Sequence, residues 1–156
     1  MYAAGGHTKI VSYRNIELVR GGKLIAKFDL YDYLLKGDLS QNKVLQGEDV
    51  KRVTPYTNRV EMSGAVKRNA IYELSSIDRL SDMLVYAGGL DDNANKKFIR
   101  IARFGQQEKE IFTVKSTEAK TFTISTGDKI YVDSVASIFK NRVSISGAVY
   151  YAGVYS

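Results

Sequence analysis

The sequence repeats itself, and that repeat constrains the fold more than any other feature. Gly5-Gly6 falls on Gly88-Gly89, Ile16 on Ile99, Leu18 on Ile101 and Arg20 on Arg103, all at a shift of 83. Residues 48–53 fall on 127–132 at a shift of 79, which sets Asp49 on Asp128. The shift returns to 83 where Asn58-Arg59-Val60-Glu61-Met62-Ser63-Gly64-Ala65-Val66 meets Asn141-Arg142-Val143-Ser144-Ile145-Ser146-Gly147-Ala148-Val149. Three ordered blocks at nearly one period imply two similar units rather than one larger domain. Their phase predicts the latter part of a first unit over 1–57 and a complete unit over 58–133. Residues 134–156 then hold a linker and the opening hairpin of a further unit, as in a piece of a longer protein.

Within the complete unit, Val60, Met62 and Gly64 alternate with more polar neighbours, and Ile71-Tyr72-Glu73-Leu74 alternates again, which predicts a hairpin. The period then changes. Ser75 and Asp78 stand at capping-box spacing, and Ile77, Leu80, Leu84 and Ala87 recur along one helical stripe widened by Met83. A helix over residues 76–87 is expected, burying Leu80, Met83 and Leu84 and stopped by Gly88-Gly89. Strands near 97–104, 108–114 and 129–133 complete the order. The first unit repeats its second half, with strands over 14–20 and 23–28 around Gly21-Gly22 and a closing strand over 49–53. Asp29 is placed to cap a short helix through Leu35, with Gly37 as its stop. The second unit has Lys115-Ser116-Thr117-Glu118 at that point, where no helix is expected. The fold class is therefore α+β, and the order ββαββ plus a last strand is that of tandem β-grasp modules, the first incomplete at its N-terminus.

Composition narrows the chemistry. The 156 residues include no cysteine and one histidine, His7, which removes disulfides, thiolate or multi-histidine metal sites and Ser-His-Asp triads. His7 follows the Gly5-Gly6 stop, where an imidazole meets the last carbonyls of a helix. Asp29, Asp32 and Asp38 lack the loop spacing of an EF-hand. None of the glycine pairs fits a phosphate-loop signature. No carboxylate pair argues for glycoside hydrolysis. No catalytic residue, cofactor or metal is expected. The formal charge of +6 favours anionic partners, but it is scattered as on ordinary solvated faces, and without an RRM-type aromatic and basic strand nucleic acid is not expected.

These residues resemble the soluble-ligand-binding β-grasp (SLBB) domains of bacterial outer-membrane polysaccharide export proteins. The resemblance rests on Gly64-Ala65-Val66, Tyr72-Glu73-Leu74, Leu80 and Leu84, Ala87-Gly88-Gly89-Leu90, and Ile99-Arg100-Ile101-Ala102-Arg103 in that order. Arg20-Gly21-Gly22-Lys23 and the segment from Asp29 to Gly37 look like the family's first module. The family's Pro-Gly turn is Asn69-Ala70 here and Ala152-Gly153 in the last hairpin. The structural motif residues are thus Gly64, Tyr72, Leu84, Gly88, Gly89, Arg20, Arg103, Asp49 and Asp128. Arg20 with Asp49, and Arg103 with Asp128, are expected to pair structurally.

The resemblance implies a periplasmic structural and interaction module of a capsule or exopolysaccharide export protein, contributing to a ring that translocates the polymer. The partners it implies are polysaccharide, further copies of the chain, and an inner-membrane polysaccharide co-polymerase or tyrosine kinase. It places the module on the periplasmic side of the outer membrane. The alternative is a soluble-ligand module, binding a glycan or small solute without a channel role. The phase of the repeat adds an assembly expectation: the hairpin after residue 141 docks on the first unit, by exchange between two chains.

Overall fold

A computed structural model describes residues 10–136, 138 and 140–155. His7, Gly5 and Gly6 lie outside the described residues. The class is α+β, with few helices and several sheets. The first unit holds β1 (Val11–Arg20), β2 (Lys23–Phe28), α1 (Leu30–Lys36) and β3 (Val50–Pro55). Its sheet runs β2-β1-β3, antiparallel throughout. Asp29 caps α1 by accepting from the Tyr31 N–H at 2.8 Å, and Gly37 ends it in the left-handed region.

The second unit holds β4 (Arg59–Gly64), β5 (Ala70–Glu73), α2 (Leu80–Tyr86), β6 (Phe98–Phe104), β7 (Lys109–Lys115) and β8 (Lys129–Val132). Its five strands run β5-β4-β8-β6-β7, and only β4 and β8 are parallel. Val60, Met62, Ile99, Ile101, Ile130 and Val132 from the sheet form one core with Leu80, Met83 and Ala87. The alternation that marked these strands is thus the alternation of core-facing and outward side chains. A separate hairpin follows, β9 (Val143–Ile145) with β10 (Gly153–Tyr155).

The structure corrects three expectations. α2 begins at Leu80, not at residue 76, and Ile77 is exposed. Ser75 and Asp78 do stand at reciprocal spacing, but they close a turn: the Asp78 carboxylate accepts from the Ser75 N–H at 2.7 Å. The Asp82 carboxylate accepts from the Arg79 N–H three residues later and opens the helix. With the shorter helix, Leu80, Met83 and Ala87 are buried, while Leu84 is only partly buried at the edge of the core. Ser116–Glu118 forms a 3-10 turn where no helix was expected. The terminal hairpin lies on neither larger sheet within this chain.

Candidate functional site

The two units meet around one guanidinium. Arg14 lies on β1, with its Nε donating to the Glu73 carbonyl at 2.7 Å, at the end of β5. Its two terminal nitrogens reach in different directions, to Asp29 at 3.0 Å and Asp78 at 3.1 Å. The plane lies over the Tyr31 ring at 4.1 Å, with the Tyr86 ring at 5.2 Å. Asp29 therefore caps α1 and holds Arg14 at once. Tyr31, from α1, packs against Tyr86 of α2 with ring centroids 5.2 Å apart. The Tyr31 oxygen accepts from the Glu73 N–H at 2.9 Å, and the Tyr86 hydroxyl donates to Asp78 at 3.0 Å. Burial pushes the Tyr86 phenol up to about 12, so it stays a neutral donor. The buried Glu73 carboxylate accepts from Ser12 Oγ at 2.5 Å and from the Tyr13 N–H at 2.7 Å. Every charge taken from water at this joint meets an opposite charge or a donor, which a stable buried network requires.

Beside the joint runs a groove of about 570 Å³ lined by both units. Ser12, Arg14, Asn15, Lys27, Thr54 and Ser75 are among its walls. It is a polar surface of hydroxyls, amides and charges. Asn15 donates to Thr54 Oγ1 at 2.7 Å, while its own buried Oδ1 has no protein donor. A second cleft, about 460 Å³, lies within the first unit. Ile16 and Leu18 of β1, Leu30 and Tyr33 of α1, and Leu39 and Leu45 of the following loop give it apolar walls. Lys27, Asp29 and Gln41 border both spaces.

The motif residues read from sequence do not converge on one site. Gly64 ends β4 at φ +94°, where an added Cβ would lie 2.1 Å from the Val132 carbonyl oxygen. Tyr72 is buried, and its hydroxyl donates to the Arg68 carbonyl at 2.8 Å. Leu84 lies at the core edge, and Gly88 and Gly89 leave α2 with positive φ. Arg20 and Asp49 form a two-pronged pair at 2.7 and 2.9 Å. Arg103 and Asp128 form the same pair at 2.8 Å on both prongs. Each arginine also donates to a carbonyl in the loop before its aspartate, Val44 or Thr123, so the two clamps are structural equivalents. Asp29, Asp32 and Asp38 are separately engaged, by Arg14, Lys36 and the Ser40 N–H. Among the described residues, no group of three or more metal-ligating side chains occurs, and no helix is long and apolar enough to cross a membrane.

The clamp has a pH signature. The Arg20 guanidinium and the Gln46 N–H hold the Asp49 carboxyl down at about 2, against an ordinary 3.8. A carboxyl lowered on folding contributes stability above its unfolded pKa and loses it as pH falls through the folded one. The contribution is complete above about pH 4 and gone near pH 2. Asp49→Asn should therefore melt below the parent at pH 7, with the gap narrowing between pH 4 and 2. A gap that stays constant across that window would contradict the clamp.

Sequence reasoning missed Arg14, Glu73 and Tyr86. Residues 59–114 match the family model of the SLBB domain. The match runs from β4 into β7 and includes Gly64, Tyr72, Leu84, Gly88, Gly89 and Arg103, but not Arg20, Asp49 or Asp128. No curated protein matches the chain. The match points to binding of a soluble ligand.

Proposed function

We propose that the chain is a non-catalytic, glycan-binding module of a capsule or exopolysaccharide export assembly on the periplasmic side of a bacterial outer membrane. The single observation that supports it most is the polar groove between the units, beside a segment matching a soluble-ligand-binding domain. Hydroxyls of Ser12, Thr54 and Ser75, the Asn15 amide and the Lys27 ammonium offer the mixed donors and acceptors that a polyhydroxylated polymer requires. The net charge of +6 favours an acidic polymer. On this reading the units are β-grasp modules that stack in a ring, with the polymer path alongside and an inner-membrane co-polymerase or kinase as partner. A second reading, a small amphiphilic solute, is favoured by the apolar walls of the first-unit cleft.

Calorimetry with alginate and dextran, an acidic and a neutral polymer, tests the proposal. Alginate should bind weakly and lose affinity severalfold between 0.05 and 0.5 M salt, since the charge is diffuse and screened over about 8–10 Å. Lys27→Glu should weaken it further, and the chain lengths of both polymers should stay unchanged. Absence of binding to either polymer, or cleavage of either, would overturn the proposal. Tight binding indifferent to salt would favour instead a module that holds its ligand in a defined pocket and has no channel role.

A further inference from the structure

The joint satisfies its charges, yet one amide on the wall of the groove beside it is only half satisfied. Asn15 donates twice, from its backbone N–H to Ser12 Oγ at 3.0 Å and from Nδ2 to Thr54 Oγ1 at 2.7 Å. Its Oδ1 is buried and accepts from no donor among the described residues. Turning the amide over would let Oδ1 accept from the Thr54 hydroxyl, but would orphan Nδ2 instead. Nor is the residue loosely placed. Ser12 Oγ, which holds the Asn15 N–H, itself donates to the buried Glu73 carboxylate at 2.5 Å, so β5 of the second unit fixes this stretch of β1. A buried acceptor left without a donor costs stability, and the fold keeps one here on a wall of its inter-unit groove.

One charge on the same wall is also uncommitted. Asp29 and Glu73 are engaged by Arg14, Ser12 and backbone N–H groups. Lys27 is exposed and enters no ion pair among the described residues: Glu17, its cross-strand neighbour, pairs with Arg52 at 2.6 Å. The groove therefore offers a lone ammonium and a lone acceptor, with the Thr54 hydroxyl still able to donate. Asn15 and Lys27 sit on the outer face of the sheet, away from the buried Ile16 and Leu18. In the second unit Phe98 and Thr113 take their places, and both are exposed although that sheet has all five strands. The outer face is open in both units.

On the glycan reading, on which this step rests, we propose that Asn15 is the specificity-determining residue of the groove. It selects a saccharide residue that carries both a hydroxyl and a carboxylate: the hydroxyl donates to Asn15 Oδ1 while the carboxylate meets the Lys27 ammonium. A hydroxyl is donor and acceptor at once, so it satisfies the amide and accepts from the Thr54 hydroxyl in the same place. A carboxylate only accepts, and against Oδ1 it would set oxygen lone pairs against oxygen lone pairs. Asn15 is itself only partly buried, and a turn about its broad terminal torsion brings Oδ1 to a ligand in the groove. A site built to bond a hydroxyl rejects a ligand without one more sharply than an apolar wall does, because its own polar group is then left unpaired.

Two polyanions separate the hydroxyl from the charge. Alginate carries carboxylates and hydroxyls, whereas polyacrylate carries carboxylates alone. At one ionic strength, Asn15→Leu should weaken alginate binding about three- to tenfold and leave polyacrylate binding unchanged. The melting temperature of the unliganded variant should be no lower, since the change removes a half-satisfied buried amide. Thr54→Val, a near-isosteric change on β3, should likewise weaken alginate alone. An Asn15 with a merely structural role would lower the melting temperature and leave the ratio of the two affinities as it was. That ratio unchanged in both variants would overturn this inference and spare the glycan reading. No binding of alginate by the unaltered chain would overturn the glycan reading, and this inference with it.

Discussion

Gly64→Ala should cost the second unit more than about 4 kcal/mol, a large share of the roughly 5–15 kcal/mol that holds a domain together. Two effects act together. A φ of +94° disfavours any residue with a Cβ, and the new methyl would lie 2.1 Å from the Val132 carbonyl oxygen. That carbonyl is backbone, held by the Ala65 N–H at 2.8 Å, so relief requires β4 and β8 to part. Their pairing is the only parallel contact in the sheet and joins its hairpins. Urea melts should show the loss, whereas Gly147→Ala, with nothing within 4 Å, should leave the melt of the second unit unchanged. Equal losses from both substitutions would show that the close approach is not what selects glycine at residue 64.

Arg14→Met should have the second largest effect, about 3–5 kcal/mol, because it leaves the buried Asp78 carboxylate without its cation. The substitution keeps the side chain's length and much of its packing, so the loss reports the charge and its donors. Lysine should not rescue it: one ammonium cannot reach the Glu73 carbonyl, Asp29 and Asp78 while sitting over the Tyr31 ring. A double-mutant cycle with Asp78→Asn should give a coupling of about 1–3 kcal/mol. Arg52→Ala, which removes a largely exposed guanidinium from the half-buried Glu17, should stay within about 1 kcal/mol. A cost for Arg14→Met no larger than that for Arg52→Ala would mean that the joint does not hold the units together.

Much of each unit was legible because local chemistry determines it. Asp29 and Gly37 bound α1 through a side-chain cap and a left-handed stop, both readable from residue type. The Arg20–Asp49 and Arg103–Asp128 clamps could be read because the repeat places the same two residue types at equivalent strand ends. The start of α2 was misread for a physical reason. Asp78 has the spacing of a capping residue, but tertiary contacts to Arg14 and Tyr86 occupy its carboxylate, and Asp82 serves the helix instead. Leu84 lies on the periodic stripe, yet a helix of seven residues buries only part of that stripe. The joint itself was not legible. Its partners Arg14, Asp29, Glu73 and Asp78 lie up to 64 residues apart, and no period links them. The repeat was blind there too, since the residue equivalent to Arg14 is Lys97. The groove follows from that joint, so sequence alone did not locate it.

The proposed binding of a glycan between the two units can be tested by an amide NMR titration of the chain with an alginate oligomer. The shifting resonances should cluster on Ser12, Asn15, Thr54 and Ser75, with Lys27 at the margin, and move back as salt is raised. Shifts confined to the first-unit cleft around Leu30, Tyr33 and Leu39, or scattered over β6 and β7 with the groove silent, would contradict it.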